Sequence, residues 1–223
     1  MIVKKAFAEL AQTVPGKVGV AIVSAGADVT SFGEWSDGVA WSTIKVPLAV
    51  AALRADVAQA DQLSAAITRS DNAAAEELWS QLGDPAAQLV QSVLREAGDP
   101  VSVVESRRLR AEYTPFGQTR WSLADQARFA AGLSRVPGSS RVTDLMATLS
   151  ADHRWGLAAK GFAAKGGWGP GLSGEYLVRQ FAIVSGTVGV ALAAEVSDGG
   201  YQAGVDVINS LADWVVGEAL AEY

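Results

Sequence analysis

Two hydrophobic periods divide this chain, and their order limits the folds open to it. Over "KVGVAIVSAGADVTSFGEW", residues 17–35, apolar and β-branched residues alternate around a glycine-containing turn, which reads as a hairpin. From residue 61 to 151 the pattern turns helical, with segments near 62–69, 73–82, 85–97, 122–135 and 140–150. Clear strands return only in "YLVRQFAIVSG" and "VGVALAAEVS". A helix carrying Val3, Phe7, Leu10 and Val14 precedes the first strands and stops at Pro15-Gly16. A long amphipathic helix over 201–221, with Val205, Ile208, Leu211, Trp214, Val215 and Leu220, follows the last. The order is helix, two strands, a run of helices, about three strands, helix. It predicts an α+β chain: a five-stranded antiparallel sheet covered by the N- and C-terminal helices, with a small all-helical subdomain. One domain is expected over 1–223, its sheet part about 1–41 and 152–223 and its helical part about 42–151.

Composition removes whole classes of chemistry. The chain has no cysteine, so disulfides, thiolate metal sites and thiol catalysis are out. His153 is its one histidine; a histidine-rich metal site is excluded and no metal or cofactor is expected. In "ADHRWG" it reads as a surface or helix-end residue. A net charge of −6, with no basic cluster interleaved with aromatics, argues against nucleic acid and anionic membranes as partners. No run reaches the ~18 consecutive apolar residues of a membrane span. The first 16 residues lack the apolar stretch of a signal peptide, which leaves a cytoplasmic protein or one whose export segment has been removed.

Three short motifs carry the chemistry. "WSTIKVPLAV" sets Ser42 and Lys45 one turn apart at the head of an apolar helix. Serine is a preferred helix cap, so Ser42 could be a cap only; a lysine at i+3 could also take its proton. "SDN", Ser70 to Asn72, stands before the helix "AAAEELW" in a chain with only two asparagines. Its residue types equally suit a plain helix start. "AKGGWG" puts Lys165, Gly166, Gly167 and Trp168 on a strand before a glycine-rich turn. Between the second and third motifs, residues 104–121 read as a long irregular loop.

In this order the three motifs resemble those of the serine β-lactamases of class A and the related penicillin-binding D,D-peptidases, and the resemblance spans nearly the whole chain. It implies an acylated nucleophile at Ser42, with Lys45 as proton acceptor. Ser70 would relay protons to the leaving nitrogen, and Asn72 would hold the substrate's amide side chain. Lys165 would supply positive charge for the relay and for a substrate carboxylate. The backbone N–H groups of Ser42 and Trp168, with Gly166 and Gly167 between them and Lys165, would form the oxyanion hole. The substrate implied is a small molecule or a peptidoglycan peptide, met outside the cytoplasm.

Three departures from that family accompany the resemblance. Ser70 follows Ser42 by only 28 positions, far fewer than in class A enzymes, which predicts a more open cleft. Gly166 stands where the family has a hydroxyl residue, and restoring threonine there is expected to strengthen carboxylate binding by about 1–2 kcal/mol. Neither Glu105 nor Glu112 begins the E-x-x-L-N pattern that activates the deacylating water in class A, so deacylation is expected to be slow. Two readings stand at this point: an acyl-serine hydrolase or transferase, and a retired active site serving as a cell-wall or protein-binding module. Trp35, Trp41 and Trp168 lie near the motifs and suit either aromatic walls for a ligand or plain packing.

Overall fold

The computed structural model describes residues 2–222. The chain begins with helix α1 (Ile2–Thr13) and strands β1 (Lys17–Ser24) and β2 (Thr30–Gly33). After strand β3 (Asp37–Val39) come helices α2 (Lys45–Arg54), α3 (Ala60–Thr68), α4 (Asn72–Leu82) and α5 (Ala86–Glu96). Strand β4 (Arg120–Ser122) leads into α6 (Leu123–Leu133) and α7 (Ser140–Met146). Strands β5 (Ala163–Pro170), β6 (Tyr176–Val184) and β7 (Val188–Val196) then precede helix α8 (Gly200–Gly217). The expected five-stranded sheet is present, antiparallel throughout and ordered β2-β1-β7-β6-β5.

The sheet is buried on both faces, which is why β1, β6 and β7 read as almost continuous apolar runs. On one face lie the terminal helices, where Phe7, Phe32 and Trp214 form an aromatic cluster with centroids 4.9–5.5 Å apart. On the other lies α6, with Phe129 edge-on to both Trp121 and Phe181. Ser122 starts α6 by accepting a hydrogen bond from the Asp125 amide. Gly189 lets that helix settle on β7: a β-carbon there would lie 2.0 Å from the Ala127 carbonyl oxygen. Among the described residues no helix is long and apolar enough to cross a membrane.

Two local features differ from the sequence reading. Residues 104–121 are not wholly irregular; they end in a 3₁₀ turn, Phe116–Gln118, and in β4, which pairs with β3 as a separate two-stranded sheet. Three-residue strands are too short to show a period. The apolar helix also starts later than Ser42. Trp41–Ile44 form a 3₁₀ turn and α2 begins at Lys45, so Ser42 caps nothing.

Candidate active site

The 3₁₀ turn gives the first motif its geometry. Ser42 lies inside this turn, and Lys45, three positions on, is its C-cap and the first residue of α2. Trp41, just before the serine, holds φ at +50°, a left-handed value that costs a bulky residue about 1–2 kcal/mol. Ser70, at +53°, pays the same penalty. Its kink divides the labour of the second motif. Asp71 caps α4 by accepting from the Ala74 amide, while Ser70 and Asn72 turn toward Lys45. Backbone strain of this kind clusters at functional sites.

The third motif arrives on β5. Lys165 pairs across the ladder with Phe181 and so shares its face, toward α6 and the helical part. There its Nζ donates to Ser70 Oγ at 2.8 Å and to the Gly166 carbonyl at 3.0 Å. Gly167 lets the strand press against the 3₁₀ turn, since an added β-carbon would sit 2.8 Å from the Ser42 amide nitrogen. Ser42, Lys45, Ser70, Asn72 and Trp168 border one cavity of about 390 Å³; Lys165, Gly166 and Gly167 do not line it, and Lys165 reaches it only through its bond to Ser70. Of the two glutamates in the 104–121 loop, Glu112 borders this cavity, whereas Glu105 is tied to Arg107.

Both lysines are buried, each 2% exposed, and among the described residues neither forms an ion pair with a carboxylate. Lys45 Nζ donates to the Ser70 carbonyl at 2.5 Å and to Asn72 Oδ1 at 2.7 Å, with Ser70 Oγ at 3.4 Å. Burial lowers its pKa to about 7, against weaker opposing pulls from Asp71 and Glu76. Burial, and then the charge of Lys45, push Lys165 well below the usual lysine range. An amine in this state is a base at neutral pH. Among the described residues Ser42 Oγ makes no hydrogen bond, and Lys45 is turned to the 70–72 turn instead.

Gly166 is the residue the alternation of β5 sends the other way. It pairs with Gln180, on the α8 side of the sheet, and the Trp155 ring fills the space above it. A β-carbon at 166 would meet that ring at 2.5 and 2.6 Å. The gain expected from threonine at 166 is therefore overturned: its side chain would strike Trp155.

Sequence reasoning passed over an aromatic group beside this wall. Trp168 lies 5.3 Å from His153, 6.2 Å from Trp155 and 5.0 Å from Tyr201, centroid to centroid. His153 bonds through Nε2 to the Arg69 carbonyl, and burial lowers its pKa. The abundance of tryptophan was the only signal of this cluster in the sequence. Among the described residues no three His, Cys, Asp or Glu side chains are grouped to hold a metal ion.

No protein-family model and no curated protein sequence matches the chain. Solved structures do. A variant of the last common ancestor of Gram-negative bacteria β-lactamase class A superposes with a TM-score of 0.72 at 22% identity, over 100% of both chains. An ancestral class A β-lactamase gives 0.69 at 21% identity, over 96% of this chain and 99% of the other. The class A β-lactamase from Mycobacterium abscessus gives 0.69 at 18% identity, over 98% and 99%. The chain has the fold of class A β-lactamases.

Proposed function

We propose that the protein is an acyl-serine hydrolase or transferase of the β-lactamase/D,D-peptidase type, with Ser42 as nucleophile toward an amide, β-lactam or ester. The observation that carries this reading is the pair of buried lysines, without a carboxylate between them, converging on Ser70 beside Ser42. Buried unpaired charge costs several kcal/mol per ion, and packing alone gives no reason to retain it twice in one place.

In the proposed reaction, neutral Lys45 takes the Ser42 hydroxyl proton as Oγ bonds to the carbonyl carbon. The Ser42 and Trp168 amides donate to the oxyanion that develops. Collapse breaks the bond to the leaving nitrogen, which receives the Ser70 hydroxyl proton. Ser70 is reprotonated from Lys45, with Lys165 stabilising the alkoxide character on Ser70 Oγ. Water, or an acceptor amine, then displaces the acyl group from Ser42. Asn72 has its amide Nδ2 free for a substrate carbonyl while its Oδ1 accepts from Lys45. This last step is slow in our reading, because Glu112 is exposed and no hydrogen bond among the described residues fixes it. The substrate would be a small molecule or peptidoglycan peptide outside the cytoplasm.

Intact-mass measurement after incubation with a panel of penicillins and cephalosporins tests this directly. The expected result is one stable adduct, mapped to Ser42 and absent from a folded Ser42→Ala variant. Rapid multiple turnover would move the deacylation base to Glu112; no adduct with any compound would remove the enzyme reading. One observation favours the alternative of a binding module: Ser42 lacks a bond to Lys45, whose amine is turned to the 70–72 turn. Reversible binding of peptidoglycan fragments without acylation would establish that alternative.

A further inference from the structure

A cavity larger than the one that holds Ser42 lies beside it. It measures about 520 Å³ and lies behind Trp41 and Pro170, which border both spaces. Arg110 braces the partition. Its guanidinium donates to the Pro170 carbonyl at 2.8 Å and lies 4.4 Å from the Tyr113 ring and 5.7 Å from the Trp41 ring. The walls are Trp35, Trp41 and Leu177, and two leucines stand at the rim with their side chains in solvent: Leu109, 56% exposed, and Leu172, 87%. Single exposed leucines are ordinary, but apolar side chains grouped at the mouth of an aromatic-walled cavity suit something that covers them.

The polar groups of the chamber narrow what that something is. Gln118 borders it, is only 5% exposed, and its amide nitrogen has no hydrogen-bond partner among the described residues. That nitrogen is one of eight buried side-chain polar atoms without a partner among the described residues, and a ligand acceptor in the chamber would satisfy it. The charges are unequal as well. Arg120 is paired with Asp37, and Arg110 is spent on a carbonyl and two rings. Glu175 and Glu195 have no cation partner among the described residues; Glu175 accepts from the Ser173 amide and Glu195 from the Trp35 indole. A ligand here meets aromatic walls, one primary amide and two unpaired carboxylates.

We infer that this chamber is a second binding site, for an aromatic carboxamide that is neutral or carries a positive charge. Its ring lies against Trp35 and Trp41, its carbonyl accepts from Gln118, and a cationic substituent faces Glu175 and Glu195. Size agrees, since small-molecule sites fall in the range of about 300–1,000 Å³, with mostly apolar walls and a few placed polar groups. The inference is independent of whether Ser42 reacts.

Titration with 4-(aminomethyl)benzamide, followed through the tryptophan indole N–H resonances of the ¹⁵N-labelled protein, tests it. Saturable shifts of Trp35 and Trp41 are expected, with benzoate binding at least fivefold more weakly. Gln118→Leu should weaken binding of the amide about tenfold, the loss expected for one buried hydrogen bond. Should that variant fail to fold, Leu109→Ala/Leu172→Ala alters only exposed side chains and should weaken binding severalfold. No saturable shift, shifts confined to Trp168 in the neighbouring cavity, equal binding of benzoate, or unchanged affinity in a folded variant would each overturn the assignment.

Discussion

Two sets of buried cations lie on the same face of the sheet, and they are built to opposite ends. Arg179, on β6, is fully buried and donates to four acceptors: the carbonyls of Gly38, Val39 and Trp121 and the side chain of Gln126. Those carbonyls belong to β3 and β4, so the guanidinium staples the small sheet to the large one. Burial lowers its pKa only to about 9, and it stays charged at neutral pH. Lys45 and Lys165 are as deeply buried but stand at a cavity wall, bonded to the 70–72 turn and to one strand carbonyl. An arginine holds its charge and uses a fixed fork of donors; a lysine gives up its proton readily when desolvated. Burial of a cation is therefore no sign of chemistry by itself. What sets the two lysines apart is an amine whose pKa burial lowers, at a cavity wall, beside a hydroxyl, and the proposed reaction rests on that.

The comparison breaks most sharply at Lys45. Lys45→Met should lower the rate of Ser42 acylation by about 10²–10⁴-fold, the range for loss of a positioned general base. Stability at pH 7 should change little or rise, because a desolvated amine is replaced by an apolar chain of similar length. Acylation kinetics with urea unfolding on the same sample reads both. A variant that unfolds several kcal/mol more easily would make Lys45 a staple like Arg179.

Arg179→Met should do the reverse. It strands four buried acceptors and should cost about 3–5 kcal/mol in unfolding free energy. The residual folded protein should keep its acylation rate, since Arg179 touches no group of the Ser42 cavity. Loss of acylation in protein that remains folded at low temperature would show that the small sheet positions Trp41 and Ser42.

How much of this was legible beforehand follows from the range of each interaction. Ser42–Lys45, Ser70–Asn72 and Lys165–Trp168 are local patterns, each within four residues, and the alternation of the strands fixed the sheet that joins them. Arg179 gave no sign in "YLVRQFAIV", because its partners come from strands of three residues that carry no period. Trp155 was equally silent. It meets Gly166 only through the register of β5 on β6 and the packing of residues 155–157 against Gln180, neither of which is a local property. The cap reading of Ser42 failed for a related reason, since a 3₁₀ turn and an α-helix start look alike over four residues.

Gly166 sharpens the comparison across the two faces of one strand. Gly166→Thr should destabilise the protein by about 1–3 kcal/mol through overpacking against Trp155, and should not speed acylation by a penicillin. Trp155→Phe removes the ring atoms nearest position 166, so the double variant should recover part of the loss. Thermodynamic coupling between the two sites in a double-mutant cycle checks this. Additive effects would mean that the strand shifts and leaves the ring in place.

The smallest effect is one of pH. Burial depresses Lys45 to about 7 in the folded chain, while an unfolded lysine titrates near 10.4. Between these values the unfolded state holds a proton that the folded state has lost, so stability rises with pH across the window. Below about pH 7 both states are protonated and the full cost of the buried ammonium is paid; above about pH 10 both are neutral and the cost is gone. Each such group contributes at most about 1.4 kcal/mol per pH unit. Lys165, also depressed by burial, adds a slope of the same sign. Unfolding free energy should therefore rise between pH 7.5 and 8.5 in the wild type, and less steeply in Lys45→Met. Arg179 contributes to neither slope until about pH 9, so Arg179→Met should keep the wild-type rise. Equal slopes in wild type and Lys45→Met would mean that Lys45 remains an ammonium in the folded protein, and Ser42 would then lack its base.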